Sequence, residues 1–366
     1  MNPTTSIYLD LVRILAALAV FLAHASWQQN SGGLLWPMNG HGREAVDIFF
    51  VISGFVIAHV AATREPSALP YAINRAARVL SVALPALVLT FVLDSIGQAF
   101  KPELYRGWCC DIAGSTAWQF LGSAAFIGDV WGHHTAPGSD IPFWSLGYEV
   151  WYYTAFGLLA FARRPWGLLG AGALMLAVGP GIAVLFPLWL LGRVVYPLCG
   201  RHPPTPRRAA ILFAGSLAAL IADACLATRT GEIYESFTLG AVRLHDYMQD
   251  YVIAGLFALH LYAASGLAGT FPAFLARRAR PIRWLGGATF SLYLFHLPLI
   301  HVVVALVPWP ETSWITRTLV FLGVPLLALG LAELTERRKS AWRRALLWVL
   351  RTRVPSGTPA ETPTQV

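Results

Sequence analysis

Ten apolar runs constrain this chain more than any other feature. Each is about 17 to 22 residues long, the length a helix needs to cross the hydrocarbon core of a bilayer. They lie near residues 6–28, 46–62, 78–97, 143–162, 167–183, 184–199, 209–226, 249–269, 286–308 and 314–334. The fifth and sixth share a stretch too short for two full spans and broken at Gly179-Pro180-Gly181, so a thinned, tilted or re-entrant pair is the alternative there. Only 13% of residues are charged, against about 25% in soluble domains. The sequence predicts an all-α polytopic membrane protein with about ten transmembrane helices.

The net charge of +8 does not indicate nucleic acid. The basic residues sit in short loops between apolar runs, where they set orientation. With the N-terminus inside, 20 of the 27 basic residues fall on the cytoplasmic side. Six (Arg43, Lys101, Arg106, Arg229, Arg243 and Arg317) fall outside, and Arg13 lies within a span. Both termini are therefore expected in the cytoplasm. Residues 1–340 read as one transmembrane domain, and 341–366 as a basic segment followed by a disordered, Pro/Thr-rich tail. The outer segments 98–142 and 227–248 exceed hairpin length, which favours a functional or lid role; residues 117–131 could dip back into the membrane. "AHA" at 23–25 imitates a signal-peptidase site, but no Lys or Arg precedes Arg13. Spacing fixes neither the disulfide state of Cys109, Cys110 and Cys225 nor the oligomeric state.

Ionisable residues inside the spans carry the functional signal, because burying them in hydrocarbon is costly. Arg13 and His24 are eleven residues apart, which places them on one stripe of a helix, roughly 16 Å apart along the axis. Asp10 can pair with Arg13 at i, i+3. Asp47 enters the second span at a depth similar to His24 and could orient its imidazole. In the same span Ser53 and Gly54 form a small patch suited to close helix packing. "FWSLGYE" (143–149) brings Trp144, Ser145 and Glu149 into the fourth span. "FSLYLFH" (290–296) puts Tyr293 and His296 in the ninth. Arg75 and Arg78 begin the third, where they serve as topological anchors or as phosphate ligands. Each residue alone has a bland reading as a snorkelling arginine, a capping group or a satisfied core histidine. No metal site is expected, since His133-His134 lack further ligands, and no G-x-S-x-G elbow occurs.

Taken together, these motifs resemble the acyltransferase-3 integral membrane acyltransferases, which O-acylate surface and secreted carbohydrates. The resemblance covers about residues 6–335. It rests on Arg13 and His24 as R-x10-H, "VDIFFVISGF" at 46–55, the basic pair before the third span, "FWSLGYE" and "SLYLFH". It implies a stand-alone member in a bacterial inner membrane, without the esterase-like domain some relatives append. It also implies cytoplasmic acyl-CoA as co-substrate, with acetyl the expected group and succinyl or longer chains compatible. No permanently bound cofactor is implied. The acceptor would be a hydroxyl of an extracytoplasmic carbohydrate or glycoconjugate such as lipopolysaccharide. On this reading His24, Arg13, Glu149 and Asp47 are catalytic, with His24 the general base steadied by Asp47 or Glu149. Arg75 and Arg78 bind the coenzyme, and Trp144, Ser145, Ser53, Tyr293 and His296 contact substrate. The rival is a transporter or flippase whose ionisable residues line a solute or proton path, although the internal repeats common in transporters are not visible.

Overall fold

The computed structural model describes residues 3–106, 116–133, 135–230, 238–239, 242–243, 245–267, 269 and 273–350. Cys109, Cys110, His134 and the tail from 351 lie outside the described residues. The helices that matter below are α1 (Pro3–Ala25), α2 (Gly42–Thr63), α3 (Ala68–Phe100), α4 (Phe143–Phe161), α5 (Trp166–Val178) and α6 (Pro180–Arg201). They continue as α7 (Pro206–Thr230), α8 (His245–Gly266), α9 (Ala279–Gly286), α10 (Thr289–Leu306), α11 (Val324–Leu334) and α12 (Lys339–Val349). The strands among the described residues form one small hairpin, Thr238–Leu239 against Val242–Arg243.

Among the described residues, seven helical segments are long and apolar enough to cross a membrane: α1, α2, α3, α6, Pro206–Leu226 of α7, α10, and the run Trp314–Val349. Helices α4, α5 and α8 stand beside that set, and α5 has only 13 residues. The chain is a multi-pass, all-helical membrane protein.

Two local features shape the bundle. Helix α3 starts ten residues before the expected third span, because Pro70 falls in its first turn, where a missing N–H has no partner to lose. Arg75 and Arg78 consequently sit inside a helix that holds their direction. At the expected break, Gly179 adopts φ +92°, a conformation that favours glycine, and Pro180 opens α6.

Side-chain packing then sets how closely the helices approach. Between apolar helices in lipid, close van der Waals contact is the main attraction, so small residues mark the tightest crossings. A Cβ on Gly54 of α2 would overlap the carbonyl oxygen of Trp189 on α6, and one on Gly192 of α6 would overlap that of Val51 on α2. These two glycines bring the α2 and α6 backbones together and seat the Trp189 indole beside Ser53. Helix α10 is the most enclosed of the seven, with 78% of its apolar window buried. It packs against α1, α3 and α11, which places its polar residues at the centre of the molecule.

Candidate active site

Among the described residues, two cavities reach the polar groups of the bundle. The inner one, about 110 Å³, is lined by Arg13, Ser53, Arg75, Arg78, Glu149 and Tyr153 among apolar side chains of α2, α4 and α10. The outer one, about 250 Å³, is lined by His24, Trp27, Asn39, Arg43 and Trp144. Arg13 and His24 therefore share a face of α1 but open into different spaces. Both cavities are lined by Val46 and Tyr293, which form the wall between them.

The inner cavity is built from charge. Arg13 donates to Thr289 Oγ1 at 3.2 Å and lies 3.7 Å from Asp10. Glu149 Oε1 accepts from Ser53 Oγ at 2.6 Å and from the Tyr153 hydroxyl at 2.5 Å, while Trp189 Nε1 donates to Ser53 Oγ at 3.1 Å. Arg75 donates to Glu65 at 2.9 Å and lies over the rings of Tyr71 and Tyr153. The Arg78 guanidinium has no hydrogen bond or ion pair within 4 Å among the described residues; it sits 6.0 Å from the Phe290 ring, within electrostatic reach of Glu336, Glu149 and Asp10. A guanidinium that faces a cavity with its N–H donors unengaged is a ready partner for a phosphate or carboxylate.

The sequence reading missed Glu336 here. Its Oε2 accepts from the backbone N–H groups of Phe290 and Ser291 at 3.1 and 3.0 Å, which caps the N-terminus of α10. It also lies within electrostatic reach of Arg13 and Arg78. Its place in "TERRKS" marks it as one acid within a basic tract, and nothing in that context singles it out.

The outer cavity is organised around an imidazole pair. His24 Nδ1 and His296 Nε2 are 2.7 Å apart, with the rings stacked at 5.0 Å. His296 Nδ1 lies 3.0 Å from the Leu292 carbonyl, which only accepts, so that nitrogen carries the proton. His296 Nε2 is then an acceptor, and His24 Nδ1 must donate to it. This bonding pattern leaves the lone pair of His24 on Nε2, the arrangement a general base requires. Asn30 donates to the His24 carbonyl at 2.8 Å, securing the end of α1.

Three expected roles change. Asp47 and Glu149 do not hold His24. Asp47 reaches the right depth, but its direction around α2 turns it toward Asp250 and Arg43, and Arg43 itself clasps Asp250 through two 2.8 Å bonds. Val46, Phe49, Phe50 and Ser53 carry the cavity-facing stripe instead, about 100° from Asp47 for its neighbour Val46. Glu149 belongs to the inner cavity. His296 is fully buried and lines neither cavity, so it positions His24 where contact with substrate was expected. Trp144 lines the outer space, while Ser145 lines the inner one and bonds the Tyr293 hydroxyl at 2.6 Å.

In the loop before α4, Asp140 is buried with neither carboxyl oxygen hydrogen-bonded. Burial, and then the nearby Asp94, push its pKa well above the usual carboxylate range. Among the described residues no cluster of three metal-ligating side chains occurs.

Comparison with known proteins places the chain in a family. The chain is 22% identical over 330 residues to the peptidoglycan O-acetyltransferase OatA of Listeria monocytogenes, covering 80% of this chain and 49% of that protein. It is 29% identical over 151 residues to the O-acetyl transferase of Shigella phage Sf6, covering 41% of this chain and 44% of that one. The chain thus spans about half the length of the curated relatives it matches. No solved structure matches. Residues 6–333 match the model of the acyltransferase domain, Acyl_transf_3, and the chain belongs to that family.

Proposed function

We propose that this protein is a membrane O-acyltransferase that moves an acyl group, acetyl in the simplest case, from cytoplasmic acyl-CoA to a carbohydrate hydroxyl on the outer face of a bacterial inner membrane. The names of its relatives favour an acetyl group and a glycan acceptor. The observation that carries the reading is the pair of cavities, basic on one side of the Val46–Tyr293 wall and holding a lone-pair imidazole on the other.

In this reading Arg78 takes the coenzyme phosphates or the polar groups of its arm, and Arg13, fixed by Thr289, steadies the acyl end. The inner cavity, where basic groups meet apolar walls, suits an acyl thioester, and the outer one beside His24 a sugar hydroxyl. His24 Nε2 removes the acceptor hydroxyl proton as the oxygen attacks the thioester carbonyl. His296 keeps the imidazole in the working tautomer. No resident cofactor enters the scheme.

The test is thiol release from acetyl-CoA by the full chain in nanodiscs, with an oligosaccharide acceptor added. Acceptor-stimulated release, accompanied by acetylated sugar, is the expected result. Solute counterflow without thiol release would instead make the ionisable residues a transport path.

A further inference from the structure

Tyr293 is the one polar side chain that faces both cavities. Its hydroxyl lies 2.6 Å from Ser145 Oγ and 3.1 Å from the Pro142 carbonyl oxygen, and Ser145 Oγ lies 3.3 Å from that same oxygen. Three oxygens share two protons, and Pro142 can only accept. In one of the two consistent arrangements Ser145 donates to Tyr293, and Tyr293 donates to Pro142. A phenol that already accepts a hydrogen bond is a stronger donor. Its proton can turn from the Pro142 carbonyl to another oxygen without breaking the Ser145 bond.

Any acyl group passing from the inner space to a hydroxyl beside His24 must meet this phenol. We propose that Tyr293 donates its O–H to the thioester carbonyl oxygen and holds the oxyanion of the tetrahedral intermediate, since it stands where the two cavities meet. The inference rests on the acyl-transfer reading above. The acceptor oxygen bonds to the carbonyl carbon, its proton passes to His24 Nε2, and the carbonyl electrons move onto the oxygen facing Tyr293. Collapse of the oxyanion breaks the carbon–sulfur bond. The His24 imidazolium then returns the proton to the departing thiolate, and the phenol is never consumed. Preorganised donors aimed at developing charge are among the largest contributions to acyl-transfer rates. Ring packing against Phe49 at 5.9 Å keeps the phenol in place.

The experiment uses the full chain in nanodiscs with acetyl-CoA as donor, reading thiol release. Tyr293→Phe keeps the ring and should lower kcat by roughly 10²–10³-fold with KM for acetyl-CoA unchanged. Fluorotyrosines of graded acidity at position 293 provide the second arm, because turnover should rise as the phenol becomes a stronger acid. A purely structural tyrosine would not follow that series. Near wild-type turnover of Tyr293→Phe, or a rate flat across the fluorotyrosines, would overturn the assignment while leaving acyl transfer intact. A wild-type chain silent toward acetyl-CoA and longer acyl-CoAs would remove the parent reading, and this one with it.

Discussion

Two buried histidine clusters lie on neighbouring helices and differ in a single respect. His260 of α8 has both ring nitrogens engaged, Nε2 with the Tyr8 hydroxyl at 2.5 Å and Nδ1 with Ser216 Oγ at 3.0 Å. It joins α1, α7 and α8, and it lines neither cavity. His24 has one nitrogen bonded, to His296, and its side chain faces open space. A satisfied imidazole stitches helices together; one with a lone pair left over, turned to a cavity, can do chemistry. Residue type and burial alone do not separate the two.

The sharpest way to break this comparison is His24→Ala. Acyl transfer per membrane-inserted protein should fall by roughly 10²–10⁴-fold, the usual worth of a general base. Retained turnover would erase the distinction from His260 and shift attention to Glu149.

A second contrast lies within the inner cavity. The Arg78 guanidinium has no direct hydrogen bond among the described residues, whereas Arg75 is paired with Glu65. Arg78→Ala should raise KM for acyl-CoA by about 10- to 100-fold, the worth of one or two hydrogen bonds to a charged group. Arg75→Ala should do less to KM, because Glu65 already occupies it. Donor titrations giving equal effects would show that the Glu65 pair opens on binding.

His260→Ala should do the reverse of His24→Ala. It should cost about 1–2 kcal/mol of stability, as expected for interhelical hydrogen bonds in a membrane. Turnover per folded molecule should stay at the wild-type level. Thermal unfolding in detergent, with activity normalised to folded protein, reads both quantities; lost turnover would mean this cluster also feeds the site.

The smallest effect concerns His41, just before α2. A hydrogen bond donated to Glu44, 2.8 Å away, raises the pKa of His41 above its ordinary 6.5. A raised folded-state pKa contributes stability that is fully present below the unfolded value and is lost as pH rises through the folded one. The pair is partly solvated, so the amount is under about 1 kcal/mol after screening. His41→Gln should flatten stability between neutral and mildly alkaline pH; an unchanged slope would place the titration elsewhere.

Sequence made the helices legible because apolar length is a one-dimensional property. It also picked out Arg13, His24, Arg78 and Tyr293, since polar groups within long apolar runs stand out. What stayed hidden was rotation. Asp47 and His24 could be matched in depth, but which way each helix turns about its axis depends on its neighbours, and the close α2–α6 crossing at Gly54 and Gly192 helps set α2. Glu65 and Glu336 were obscured for another reason. Both lie at the ends of apolar runs beside arginines, where an acid looks like ordinary loop chemistry until α3 and α10 fold over it.

The wall made by one valine and one phenol also bears on bioenergetics. In the proposed reaction, a neutral alcohol outside becomes a neutral ester, and a neutral thioester inside becomes a neutral thiol. One proton travels inward for each acyl cation equivalent that travels outward, so no net charge crosses. Moving a single charge through the membrane field involves about 2.3 kcal/mol per 100 mV, and this exchange draws none of it. In that proposed reaction, with Val46 and Tyr293 parting the two cavities, an acyl group crosses the bilayer without opening a path along which the cell's voltage would drain.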